Sequence, residues 1–125
     1  IMTLQFIEDI EKTFDDFNKV LKPGGLLIFA VHNQAHVKEC LHEKKLFEDF
    51  DSIEKPKSGY IRLGEQKIPI YIRTAQNYKN ILEKRGFQQI LEEYPPFTEE
   101  FLKQYPIEEP THEPRFLILG YRKKQ

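Results

Sequence analysis

Phe17-Asn18-Lys19-Val20-Leu21-Lys22-Pro23-Gly24-Gly25-Leu26-Leu27-Ile28-Phe29-Ala30-Val31-His32-Asn33 joins the last turn of an amphipathic helix to a strand through a Pro-Gly-Gly reversal. Pro23 cannot continue a helix, and the two glycines give the backbone the freedom to turn back. Leu26 to Val31 is short and continuously apolar, the pattern of a strand covered on both faces rather than one alternating between core and water. A parallel sheet is therefore implied.

Upstream of this segment, Ile7, Ile10, Phe14, Phe17 and Leu21 recur at steps of three and four and share one helical face. Glu8, Asp9 and Glu11 lie near the positive end of that helix, and Lys19 and Lys22 near its negative end. Downstream, Val37, Cys40, Leu41, Phe47 and Phe50 predict a helical segment with a polar outer face carrying Lys38, Lys44 and Lys45. Residues 51–59 have a loop composition punctuated by Pro56 and Gly59. Tyr60 to Leu63 and Ile68 to Arg73 then flank Gly64-Glu65-Gln66-Lys67 as a hairpin, with Pro69 expected on an edge where no backbone donor is required. Residues 51–73 thus read as a loop and hairpin inserted into a single domain spanning 1–125.

Thr74 can cap the next helix, whose stripe is Tyr78, Ile81 and Leu82, and Gly86 can end it in a left-handed conformation with Phe87 folding back. Phe87 to Tyr94 and Arg115 to Arg122 are two further strands. The segment between them holds Pro95, Pro96, Pro106, Pro110 and Pro114, yet Phe97, Phe101, Leu102 and Tyr105 predict a short helix near Glu99 to Gln104.

The chain of 125 residues is 39% hydrophobic, enough for one domain with a core. Nineteen basic against twenty acidic side chains leave a formal charge of -1, so no overall field draws the surface to nucleic acid or anionic lipid. Lys55, Lys57, Arg62 and Lys67 make a modest basic cluster beside Tyr60, diluted by Glu54 and Glu65, and read as a solvated insertion. No apolar run approaches the roughly 20 residues that span a bilayer, and Cys40 is the sole cysteine. A cytoplasmic location with no membrane partner is expected.

The order helix, Lys22-Pro23-Gly24-Gly25, strand, insertion, helix ending in Arg85-Gly86-Phe87, strand, proline-rich loop and final strand resembles the C-terminal half of class I S-adenosylmethionine-dependent methyltransferases. Val31-His32-Asn33, Tyr71-Ile72-Arg73-Thr74-Ala75-Gln76-Asn77-Tyr78 and Pro114-Arg115-Phe116-Leu117-Ile118-Leu119 are similar to segments of the subgroup acting on small molecules. The fold class the resemblance implies is α/β, a partial Rossmann-like methyltransferase sheet whose last strand inserts antiparallel, with flanking helices and an inserted hairpin. Ile1 to Phe6 would match the exit from the preceding strand of such a sheet.

In such folds the cofactor binds outside the carboxyl ends of the parallel strands, against a glycine-rich turn and an acidic residue of the first half. Neither stands among these residues, so the resemblance implies half a site at most. S-adenosylmethionine and a small-molecule acceptor are expected for the complete enzyme, with no cofactor for this chain alone. The competing expectation is a non-catalytic remnant that pairs with itself or a partner chain through the sheet edge.

The resemblance places Gln5 and Phe6 beside the cofactor, although Leu4, Phe6 and Ile7 equally serve to staple the helix entry. His32 and Asn33 end the best strand, where His32 can act as a catalytic base or orient an acceptor and Asn33 can contact substrate. Alternatively both satisfy backbone groups of the loop there. Tyr71, Arg73 and Tyr78 sit at the junction that closes over the cleft in similar proteins, with Arg73 suited to gripping an anion or to pairing with Glu65 or Glu83. His32, His36, Cys40 and His42 invite a metal reading, but their spacing lacks the close pairs of a zinc site. No metal is expected, and Cys40 reads as a small buried hydrophobe.

Overall fold

The computed structural model describes residues 3–124. A short 3-10 helix, Leu4–Phe6, leads into helix α1, Ile10–Val20. Asp9 caps α1 by accepting from the Lys12 amide at 3.2 Å, so the helix begins after Ile7. Leu21 is already extended, and Gly24 takes φ +81° before strand β1, Leu26–His32. Strand β6, Phe116–Lys123, pairs antiparallel with β1 on one side and with β5, Phe87–Glu93, on the other. The sheet order is β1-β6-β5, so β1 and β5 run in the same direction with an antiparallel strand between them.

The antiparallel insertion of the last strand is as expected, and each pairing among the described strands is antiparallel, with β1 standing at one edge of its sheet. The coverage of that strand differs from expectation. Leu27, Phe29 and Val31 are buried, while Leu26 and Ile28 remain 48% and 47% exposed. The physical reason is that α1 and helix α3, Ala75–Glu83, both lie on one face. There Phe14, Phe29 and Tyr78 meet with centroids 5.2 to 6.2 Å apart, joined by Leu82, Phe87, Leu119 and Tyr121. Such contacts add to the burial of large rings. Arg85 binds α1 to the end of α3, donating from Nε to Asp15 at 2.7 Å and from Nη1 to the Ile81 carbonyl at 3.0 Å.

Helix α2, Gln34–His42, follows β1 and packs Val37 and Cys40 on a second sheet. That sheet has the order β2-β3-β4, formed by Phe47–Glu48, Ser58–Leu63 and Gln66–Tyr71. Phe47 and Phe50 therefore lie outside the helix expected to carry them. Lys44, Leu46 and Asp49 adopt positive φ, which no helix can continue through. β4 is an edge strand, which accommodates Pro69 as expected.

Thr74 and Asn77 form a reciprocal capping box at 3.1 and 3.0 Å, and Gly86 at φ +82° ends the α3 region and returns Phe87 to the core. Helix α4, Glu99–Gln104, stands where the apolar residues of the proline-rich segment predicted it, capped by Thr98. Ile1 and Met2, matched above to a preceding strand's exit, lie outside the described residues.

Candidate functional site

β1 ends at His32, and β6 begins opposite it with Phe116 as its partner. Ligands gather at such carboxyl ends in open α/β sheets. His32 is buried between the rings of Phe47, at 5.5 Å and edge-on, and Phe116, at 5.2 Å. Burial, and then the charges of His36 and Arg115, lower its pKa to about 4, so the ring is neutral near pH 7. Its Nδ1 is buried without a hydrogen-bond partner among the described residues. A ring of that basicity orients a donor rather than extracting a proton from a weak acid.

Asn33 has a structural assignment. Its side-chain oxygen caps α2 through the Ala35 amide at 3.4 Å, its Nδ2 donates to the Pro114 carbonyl at 2.9 Å, and its amide donates to the Arg115 carbonyl at 2.9 Å. The chain leaving the proline-rich loop is thereby held against the start of α2. One turn along that helix, His36 is fully buried and faces Glu109, with Nε2 3.2 Å from Oε2. Cys40 Sγ lies 3.6 and 3.8 Å from the two His36 ring nitrogens. Arg115 pairs with the other Glu109 oxygen and holds its guanidinium 5.8 Å from the Phe116 ring. Burial lowers the pKa of His36 to about 4 and raises that of the Cys40 thiol to about 12.

Of the histidine and cysteine run, the fold thus brings His36 and Cys40 together and adds Glu109, while His42 instead approaches Glu54 at 3.7 Å on the surface. Glu109 and Arg115 are absent from the candidates drawn from sequence. The one available signal is Arg115 at the mouth of the last strand, after Pro114. Its convergence with His36 depends on how the proline-rich loop folds back, and no local periodicity encodes that.

In the second candidate group, Tyr71 and Tyr78 both lie against Arg73. Arg73 Nη2 donates to the carbonyls of Ile7 and Glu8, both at 2.9 Å, and its guanidinium stands 5.8 Å from the Tyr71 ring. Neither Glu65 nor Glu83 receives it: the Glu65 carbonyl accepts from Arg62, and Glu83 meets Lys79. Tyr71 donates to Glu8 at 3.4 Å. Tyr78 is fully buried in the core against Phe29, and burial raises its phenol pKa. Gln5 is buried and Phe6 partly exposed on the 3-10 helix, which packs against β1 and β4.

Among the described residues no helix is long and apolar enough to cross a membrane. Comparison with curated proteins gives no match. Solved structures with the same fold include a protein from Listeria monocytogenes, provisionally named an S-adenosylmethionine dependent methyltransferase, at 22% identity and TM-score 0.73 over 99% of this chain and 59% of that one. An S-adenosylmethionine dependent methyltransferase from Mesorhizobium loti gives 18% identity and TM-score 0.64 over 98% and 58% of the two chains. One from Methanosarcina mazei gives 17% and 0.67 over 99% and 57%. This chain therefore spans less than two thirds of each. The strand order, with an antiparallel strand between two that run alike, is the fold these proteins share with it over nearly its whole length. The family described as "Methyltransferase domain" matches residues 1–92 in sequence, and the chain belongs to that family.

Proposed function

We propose that this chain is the C-terminal portion of a domain that transfers a methyl group from S-adenosylmethionine to a small-molecule acceptor in the cytoplasm. The observation that carries the reading is the family match over residues 1–92 together with the β1-β6-β5 order. Gln5 and Phe6, on the 3-10 helix packed against β1, would form one wall for the cofactor in this reading. Gly24 and Gly25 precede β1 and so lie at its amino end, opposite the end where a glycine turn cradles a ligand in open α/β sheets. They do not fit a cofactor cradle.

When bound, S-adenosylmethionine supplies an electrophilic methyl group. The work of this chain is to hold an acceptor in line and keep water out. His32, neutral and walled by Phe47 and Phe116, shapes the end of β1 from within, with Nδ1 closed off from solvent. Asn33 and Arg73 act one step back, by holding the loop before β6 and the entry to α1. Tyr71 and Phe6 keep enough exposure to touch an acceptor.

A second reading rests on the outer face of the sheet. Leu26 and Ile90 are 48% and 47% exposed there, and β1 stands last in the strand order. A non-catalytic domain would cover such a face by self-association or with a partner chain. Isothermal titration with S-adenosylmethionine separates the two, performed on this polypeptide and on one extended upstream to the length of the relatives. Saturable binding with methyl transfer by the extended form supports the enzyme. Absence of binding by both, with a concentration-dependent dimer in sedimentation, supports the remnant.

A further inference from the structure

The His36, Cys40 and Glu109 cluster has a chemistry that methyl transfer does not account for. Each residue offers one ligand atom, and the three atoms lie within 4.8 Å of one another. The carboxylate side chain of Glu109 is only 7% exposed, and its Oε2 has no hydrogen-bond partner among the described residues although His36 Nε2 is 3.2 Å away. Arg115 pairs with the other carboxylate oxygen, so Oε2 is the Glu109 atom left to meet a cation beside His36 Nε2.

We propose that His36, Cys40 and Glu109 bind one divalent cation of the zinc class. Tetrahedral bonds of about 2.0 to 2.3 Å place nitrogen, oxygen and sulfur ligands roughly 3.2 to 3.7 Å apart. The 3.2 Å separation of His36 Nε2 from Glu109 Oε2 meets that requirement, whereas Cys40 Sγ, 3.6 and 3.8 Å from the two ring nitrogens, must turn toward Nε2 and Oε2 to complete the set. Histidine and cysteine one helical turn apart on α2 are presented on the same face, so two ligands come from a rigid element.

The surrounding groups suit such a site. A His36 ring nitrogen is engaged by the Pro110 backbone, the outer contact that fixes a ligating imidazole. Arg115 holds Glu109 through Oε1, while Oε2 is the oxygen beside His36. Glu39 and Glu43 place negative charge toward Cys40 and offset Arg115. A cleft of about 370 Å3 reaches Glu109 and is lined also by Lys45, Leu46, Ile107, Glu108 and Arg115. On binding, Cys40 loses its proton to solvent and the Sγ to metal bond forms, with no change of oxidation state.

The test uses the whole chain freed of metal with a chelator and titrated with cobalt(II). The expected result is one equivalent bound with tetrahedral visible bands and a thiolate-to-cobalt charge-transfer band, both removed by zinc(II). Cys40→Ser should keep its circular dichroism and lose the charge-transfer band. His36→Gln and Glu109→Gln should weaken binding by more than the roughly 10–100-fold that loss of an outer partner costs, and His42→Gln should leave it unchanged. An octahedral spectrum without a sulfur band in the unaltered protein overturns the proposal whatever the variants do. So does equal affinity of the unaltered protein and the Glu109→Gln variant.

Discussion

Arg73 Nη2 donates to the carbonyl oxygen of Ile7 at 2.9 Å, fastening the entry of α1 to the junction between the hairpin and α3. The same nitrogen reaches the Glu8 carbonyl at 2.9 Å, so one charged donor satisfies two backbone acceptors ahead of the helix. Hydrogen bonds from charged donors contribute more than neutral ones, about 1.5 to 3 kcal/mol. Arg73→Gln is expected to lower unfolding free energy by about 2 kcal/mol, read as a fall in the urea midpoint at constant slope. An unchanged midpoint would show that the guanidinium is free for a ligand instead.

Leu26 and Leu27 are adjacent and identical in type, yet the first is 48% exposed and the second 5%. Leu27→Ala removes core methyl groups against α1 and α3 and should cost about 2–5 kcal/mol. Leu26→Ala in this polypeptide should cost under about 1 kcal/mol. In a polypeptide extended to the length of the relatives, the cost at Leu26 should rise to the level seen at Leu27. Equal small costs at Leu26 in both would count against a second layer over that face.

Gly59 lies directly beneath Phe50, and a Cβ placed there would stand 2.3 Å from the ring. Phe50 in turn meets Phe47 edge-on at 5.9 Å, so the ring cannot move without loosening the second cluster. Gly59→Ala should destabilise by about 1–3 kcal/mol through forced repacking. Relief of that loss by a further Phe50→Leu change would identify the ring as the cause, and chemical denaturation of the single and double variants measures it.

The pKa of His32 in the folded protein is about 4, against 6.5 for the free side chain. Its neutral form is therefore favoured by burial in an apolar setting, and between those values the unfolded chain binds a proton that the folded chain does not. The associated stability is complete above about pH 6.5 and is lost as pH falls toward 4, with an upper bound on the order of 3 kcal/mol. His32→Phe should flatten this part of the pH dependence in chelator-treated protein. A slope unchanged by the substitution would assign it to other groups.

Much of the architecture was legible locally. Asp9, Thr74 and Thr98 cap helices through side-chain oxygens that bond amides three residues on, and each motif is complete within one turn. The short helix at Glu99–Gln104 and the edge position of Pro69 follow from chemistry of the same range. The boundary of α2 was less accessible, because positive φ at Lys44, Leu46 and Asp49 contradicts the ordinary preference of those residue types.

By itself the sequence determined the order and kind of the main elements, since periodicity, caps and turns act within a few residues, and the order of its motifs resembled a methyltransferase plan. Tertiary structure alone decided which face of β1 is covered, that Arg73 fastens the entry of α1, and that Glu109 and Arg115 meet His36. Those outcomes depend on contacts between segments far apart in the chain. A strand's apolar run says that it can be buried, but only the placement of α1 and α3 says on which side.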